Sequence, residues 1–468
     1  MQYRYHHLLP AAAAAVAIFL SMPAHAGVSA EEAAKLGVTG TPLTPTGAER
    51  AGNADGSIPE WTGGITEAPA GFVAGSGNYV DPYASDKVLF TITAQNYKQY
   101  VDKLTPGQIA MLEKNPETYR LDIYPTRRSY SAPQHIYERS IKNATEVSLD
   151  KGGYDPDDKY FGGTCFPIPK TGIEARLNAV WWRCQYVTGG ERRWYNASVM
   201  DPNGGWETAH IEEWHGYPQY APGAAWGSVL PEYQVLQIVQ APPRLAGQAI
   251  LLISDVNYAR QGGKEKIWSY NPGQRRVRRA PQISYDYPKS GSNGLMAVDQ
   301  AYCSVHGNAD RYDWTLKGKK ELYIPYNNYK LSDRSIKESD VMKPGNINQD
   351  MVRYELHRVW VVEGKQKPDY HMAYDKRVLY LDEDSWLAAT ADIYDDKDTL
   401  WKLEECATIN YYDYGVFSSN LEMKYELRSE GYVVLGLDVA RPSTPRQFNI
   451  DIPANTFTIG NLKGEGIR

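Results

Sequence analysis

Cysteine is scarce in this 468-residue chain, at four, and so is phenylalanine, at eight against 36 tyrosines and 12 tryptophans. The cysteines form no CxxC pair and the histidines no HExxH, so the common zinc signatures are absent and no metal is expected. No GxSxG, phosphate-binding loop or GxGxxG occurs; no cofactor is expected and no catalytic nucleophile stands out. Positive charge is not in excess either. Lys+Arg is 50 against Asp+Glu 56, a net of −6, which lacks the basic footprint of a nucleic-acid binder. No hydrophobic run approaches the roughly 18–20 residues of a membrane span.

The first 26 residues read as a secretory leader: Arg4, an apolar Ala11 to Leu20, then Ala24-His-Ala26 before Gly27. Their apolar stretch is too short to cross a bilayer, and an exported mature chain is expected. In an exported chain the even set Cys165, Cys184, Cys303 and Cys406 favours disulfides. Three connectivities exist. Cys165–Cys184 closes a short loop and leaves Cys303–Cys406, but spacing does not choose among them.

Residues 27–85 are rich in Gly, Pro and Thr and cannot form a core alone; they read as an extended arm anchored by Ile58, Trp61 and Phe72. The remainder, 86–468, divides into a helical part at 86–183 and a strand-rich part at 184–468. Helices are expected from Thr93, from Thr105-Pro106, from Pro133 and over Gly172 to Trp182. A short extended piece is expected at Tyr119–Tyr124. Strands are expected at Arg193–Val199, Gln248–Ser254, Lys266–Tyr270, Gln274–Ala280, Tyr354–Val362, Arg377–Leu381, Thr390–Tyr394 and Leu400–Glu404, with turns at Asn271-Pro-Gly273 and Asp395–Asp398. No 40–45-residue repeat supports a propeller, so the fold class is α+β, mainly β, with a large curved antiparallel sheet covered by helices.

The aromatic bias toward rings with a polar atom points to a polar-edged cavity or binding face. The candidates are Trp181, Trp182, Trp268, Tyr270, Trp360 and Tyr380, joined by Arg276 and Arg278 of the Gln-Arg-Arg-Val-Arg-Arg279 run, whose guanidinium groups suit a carboxylate or phosphate. The segment Ala209-His-Ile-Glu-Glu-Trp-His-Gly216 has the look of a site but no nucleophile in reach, and reads as structural. Acids at Asp382, Glu383 and Asp384 offer an alternative, an envelope-acting hydrolase; a docking or structural module that grips a partner with its arm is another.

Several separated motifs resemble a proteobacterial periplasmic family of unknown function: Leu43-Thr-Pro-Thr-Gly-Ala-Glu49, Asn53 to Gly64 with its Pro-Glu-Trp61, Tyr312-Asp-Trp314, Tyr323-Ile-Pro-Tyr-Asn327, His357-Arg-Val-Trp360, Arg377 to Trp386 and Asp392-Ile-Tyr-Asp395. That family is similar in fold to the LolA/LolB-like outer-membrane lipoprotein-sorting carriers, whose half-barrel sheet encloses an apolar cavity. The resemblance implies a periplasmic carrier of a lipid or other amphipathic molecule, not an enzyme. It also implies work beside a resistance-nodulation-division type exporter and an outer-membrane protein. One departure is local: of a Trp-Asn-His triplet expected at 177–179, only Asn178 is present.

Overall fold

The computed structural model describes residues 27–180, 189–220, 231–255, 266–279, 287–289, 291–307, 309–437 and 446–467. The leader at 1–26 and three residues of interest, Trp181, Trp182 and Cys184, lie outside these. The architecture is mainly β. Fifteen strands form one sheet: β1 Phe90–Ile92, β2 Leu121–Tyr124, β3 Gly189–Met200, β4 Trp206–Tyr217, β5 Pro231–Ala241, β6 Ala249–Asp255, β7 Lys266–Asn271, β8 Arg276–Arg279, β9 Tyr312–Pro325, β10 Tyr354–Gln366, β11 Lys376–Asp382, β12 Ala388–Tyr394, β13 Leu400–Tyr411, β14 Val416–Glu426 and β15 Tyr432–Gly436. Their order is β1-β2-β10-β11-β12-β13-β14-β15-β3-β4-β5-β6-β7-β8, with β9 also paired to β10.

Two features differ from the sequence expectation. The sheet reaches back into the segment expected to be helical, where β1 pairs with β2, the latter lying in the extended piece expected at Tyr119–Tyr124. It is also mixed and not purely antiparallel, since Tyr354 and Glu355 of β10 pair in parallel with Ile123 and Tyr124 of β2.

Four helices matter for the packing: α1 Pro106–Lys114, α2 Gln134–Glu146, α3 Gly172–Asn178 and α4 Ile459–Ile467. Thr105 and Gln108 form a reciprocal capping box at the start of α1, with Pro106 at the first helical position. The Gln108 side chain also reaches Glu405 Oε1 at 3.1 Å, so the cap is welded to β13. Gly107 is required there: its N–H donates to Asp392 Oδ1 at 3.0 Å, and a Cβ would sit 2.3 Å from that oxygen. The helix expected from Thr93 is instead two short 3₁₀ turns, Tyr97–Gln99 and Val101–Lys103. The Asn96 side chain accepts from Thr93 N–H and donates to Thr91 C=O, a local alternative to helix geometry. Asn178 ends α3 by clamping both backbone groups of Phe166, at 2.9 and 2.8 Å.

Central strands are buried on both faces. On β13, Leu403 and Ala407 meet the core beneath α1, while Lys402, Glu404 and Cys406 face a strap at residues 291–307. Cys303 of the strap is disulfide-bonded to Cys406. Residues 43–61 also pack inward: Trp386 Nε1 donates to Thr46 C=O at 2.8 Å, and Trp61 Nε1 to Tyr130 C=O at 3.0 Å.

Candidate functional site

The strand period of two places Glu191, Arg193 and Tyr195 on one face of β3, opposite His215, Glu213 and Ile211 of β4. Tyr217 and Tyr233 extend this face. Arg193 Nε and Nη2 donate to Glu213 Oε2 at 3.0 and 2.7 Å, and the Tyr195 hydroxyl donates to Glu213 Oε1 at 2.8 Å. His215 Nε2 lies 2.9 Å from Glu213 Oε2. Burial pushes the Glu213 carboxyl up, but Arg193 and His215 outweigh it and hold the group well below the usual carboxylate range. Arg446 plays the same part for Glu191: Nε donates to Oε1 at 2.7 Å, and the carboxyl is lowered despite its burial.

Into this face the strap inserts Tyr302, whose hydroxyl accepts from Tyr233 at 2.8 Å and whose ring meets His215 edge-on at 6.0 Å. Tyr302, Cys303 and Ser304 all carry positive φ, 55°, 57° and 68°. Three successive left-handed residues with side chains cost roughly 1–2 kcal/mol each. The turn is held by the disulfide, by Cys303 N–H on Glu422 Oε2 at 3.0 Å and by the Ser304 hydroxyl on Glu404. Between turn and sheet lies a cavity of about 20 Å³ lined by Arg193, Tyr195, Lys289, Tyr302 and Arg446. That is room for about one water-sized guest.

Larger recesses lie elsewhere among the described residues, one of about 310 Å³ lined by Val28, Val147, Leu149, Phe166 and Ile168. A cleft of about 430 Å³ separates residues 78–86 from Asn327–Lys330, with Tyr83, Tyr124 and Arg353 on its wall. A groove of about 570 Å³ runs beside α4 on the other face of β3–β5, where the Arg192 guanidinium sits 4.2 Å from the rings of both Trp194 and Trp214.

The residues singled out from sequence do not converge. Trp268 and Tyr270 alternate with Ile267 and Ser269, which puts them on the α4 side of the sheet, against Leu251 and Leu462. Trp360 stacks on Trp386 at 5.9 Å with the Lys319 ammonium 4.7 Å away. Tyr380 is buried, and its hydroxyl donates to Asp392 at 3.0 Å. Arg276 and Arg278 are exposed on β8 and line none of these cavities. Conversely, Arg193, Glu213, His215 and Tyr302 were missed as site residues. The Glu213–His215–Tyr217 alternation within a segment read as structural was the available signal; nothing local marks Tyr302.

The acids of the hydrolase alternative are held in a buried knot. Arg128 grips Asp384 with Nη2 and Nε at 2.6 and 2.9 Å, Glu383 takes Lys319 at 2.7 Å and the Glu49 N–H, and Asp382 accepts from Ser385 N–H at 2.9 Å. Burial, then the charge of Asp384, raises Asp382 to about 6; Asp384 is lowered because Arg128 outweighs its burial. His357 approaches Asp382 and Asp384, with all three offering atoms within 4.8 Å of one another, but both Asp384 oxygens belong to Arg128 and Tyr326 stacks on the His357 ring at 4.0 Å. These acids line none of the cavities above, and through Glu49 N–H on Glu383 and Arg128 on Asp384 the cluster joins the arm to the sheet.

The chain is similar to several known proteins. An uncharacterised protein of Pseudomonas aeruginosa is 43% identical over 447 residues, covering 95% of either chain. Among solved structures, a DUF1329 family protein from Desulfovibrio piger matches with TM-score 0.42 at 14% identity, over 62% of this chain and 97% of that one. A putative outer-membrane lipoprotein-sorting protein domain from Vibrio parahaemolyticus gives 0.41 at 17%, over 62% and 95%, and a LolA superfamily protein from Nitrosomonas europaea 0.35 at 13%, over 62% and 99%. The family model described as "Protein of unknown function (DUF1329)" matches residues 91–463, and the chain belongs to that family.

Proposed function

We propose that this protein is a periplasmic carrier that binds an amphipathic molecule, most simply a lipid, against the inner face of β3–β5. The observation that carries this reading is the ring of Tyr195, Tyr217, Tyr233 and Tyr302 around the buried Arg193–Glu213 pair: aromatic faces for apolar groups, with phenols and guanidinium groups for a polar head. The place is filled by the chain's own Tyr302, on a turn whose backbone is strained. Cargo that displaces this ring lets the turn relax, and that relief adds to the cargo's contacts. The Cys303–Cys406 disulfide fits an oxidising compartment, and no helix among the described residues is long and apolar enough to cross a membrane. Hand-over to an envelope exporter and an outer-membrane partner completes the reading.

Native mass spectrometry of the mature protein, before and after organic extraction, tests it. A discrete extractable mass is expected, and the stripped protein should take up a fluorescent fatty acid. A protein that carries nothing and takes up nothing at any probe concentration sinks the proposal.

A further inference from the structure

The hairpin of β7 and β8 ends the sheet, and it carries Arg275, Arg276, Arg278 and Arg279 within five residues. All four are exposed, and none has a carboxylate partner among the described residues. In a chain of net charge −6 this is a local reversal of sign. Pleating sends Arg276 and Arg278 to the side of Ser269, and Arg279 to the side of Trp268. The charge therefore surrounds the strand. Helix α4, which rests on β5 to β8, adds an exposed Lys463 and, at its first residue, Ile459, an apolar side chain 48% exposed.

Charged residues on a terminal strand deter pairing with a second sheet. That accounts for β8 but not for Arg275, which lies in the turn outside the ladder at φ 50°, where glycine or asparagine is the ordinary occupant. A guanidinium kept in a strained turn beside three others presents phosphate-binding donors outward from the rim of the sheet.

We infer that the β7–β8 hairpin is where the protein rests on an anionic bilayer, its arginines against the lipid phosphates and Ile459 at the same rim. The partner is the membrane surface and not a discrete pocket ligand. This goes beyond the carrier reading and stands without it, although a carrier docked by this rim is brought to its source or destination. Each basic residue held near an anionic surface contributes roughly a fivefold gain in partitioning, and salt screens it.

The test is co-sedimentation of the mature protein with phosphatidylcholine vesicles containing phosphatidylglycerol, against phosphatidylcholine alone, at low and high salt. Binding is expected only to the anionic vesicles and only at low salt. Replacing all four arginines with serine should lower it at least tenfold with an unchanged melting midpoint, while replacing them with lysine should keep most of it. Equal binding to both vesicle types, no binding to either, or a serine variant that keeps its melting midpoint and binds vesicles as before would overturn the inference. Loss with lysine as complete as with serine would overturn it too, by pointing to a guanidinium-specific site. Fatty-acid uptake is measured on the same variants, so failure of vesicle docking is distinguishable from failure of the carrier reading.

Discussion

The Tyr233 hydroxyl donates to that of Tyr302 at 2.8 Å, tying a wall of the sheet to the left-handed turn that fills its interior. Glycine tolerates φ near 55° without cost. Tyr302→Gly therefore relieves the turn and empties the space of the ring. An apolar fluorescent probe should bind this variant severalfold more tightly than the parent, while loss of the ring's packing lowers the melting midpoint. Unchanged affinity in a folded variant would show that Tyr302 does not stand in the cargo's place.

Arg128 and Asp384 form a pair of which each partner is 3% exposed at the side chain. Removing one side leaves a buried charge uncompensated, a loss of about 3–5 kcal/mol. Arg128→Gln should show that loss in urea unfolding, and Arg128→Lys should recover only part of it, because lysine cannot make the two-pronged contact. A change below about 1 kcal/mol would mean the knot does not anchor the arm.

Burial raises both Asp392 and Glu405 to about 7, from ordinary values of 3.8 and 4.5. Between the two limits the unfolded chain ionises while the folded one keeps its protons. Their contribution to stability is complete below the ordinary values, falls as pH rises through the window, and is lost above about 7. Asp392→Asn with Glu405→Gln should raise the urea midpoint more at about pH 8 than at about pH 5. A difference that does not vary with pH would place both groups outside the linkage.

The Cys303–Cys406 bond closes a loop with a sequence separation of 103. Chain entropy assigns such a loop roughly 4–5 kcal/mol. Reduction, or Cys303→Ser with Cys406→Ser, should lower stability by that order and expose residues 291–307 to proteolysis before the sheet. Cleavage that starts in β13 instead would show that the strap is held by its other contacts.

Trp268 packs against Leu251 and Leu462, beneath α4. Trp268→Ala should cost about 3 kcal/mol of stability and leave fatty-acid uptake unaltered in the protein that remains folded. Lost uptake at full stability would return this ring to the binding site.

Much of the fold was legible in local patterns. Thr105-Pro106 announces a helix start, and the alternation in Arg377–Leu381 or Leu400–Glu404 announces strands, because these signals act within one turn or one ladder. The Thr93 helix failed on a competing local bond, the Asn96 side chain. The candidate site was less readable. Trp268 and Ile267 are neighbours in sequence on opposite faces of one sheet, and which face is covered by α4 depends on residues nearly two hundred positions away.

The sequence by itself determined the class of the molecule: a Tyr- and Trp-rich, mainly β chain with an anionic net charge, cysteines suited to bonding, and the motifs of its family. Those are properties of composition and of short-range periodicity. Only the tertiary structure decided that Glu213 and His215 meet Tyr302, that Arg128 reaches Asp384 across 256 residues, and that the acids of 382–384 are a structural knot. The reason is physical. A strand pattern assigns each side chain to one of two faces, but what lies on a face is set by strand order and by the strap laid over it, and neither is written in the spacing of residues along the chain.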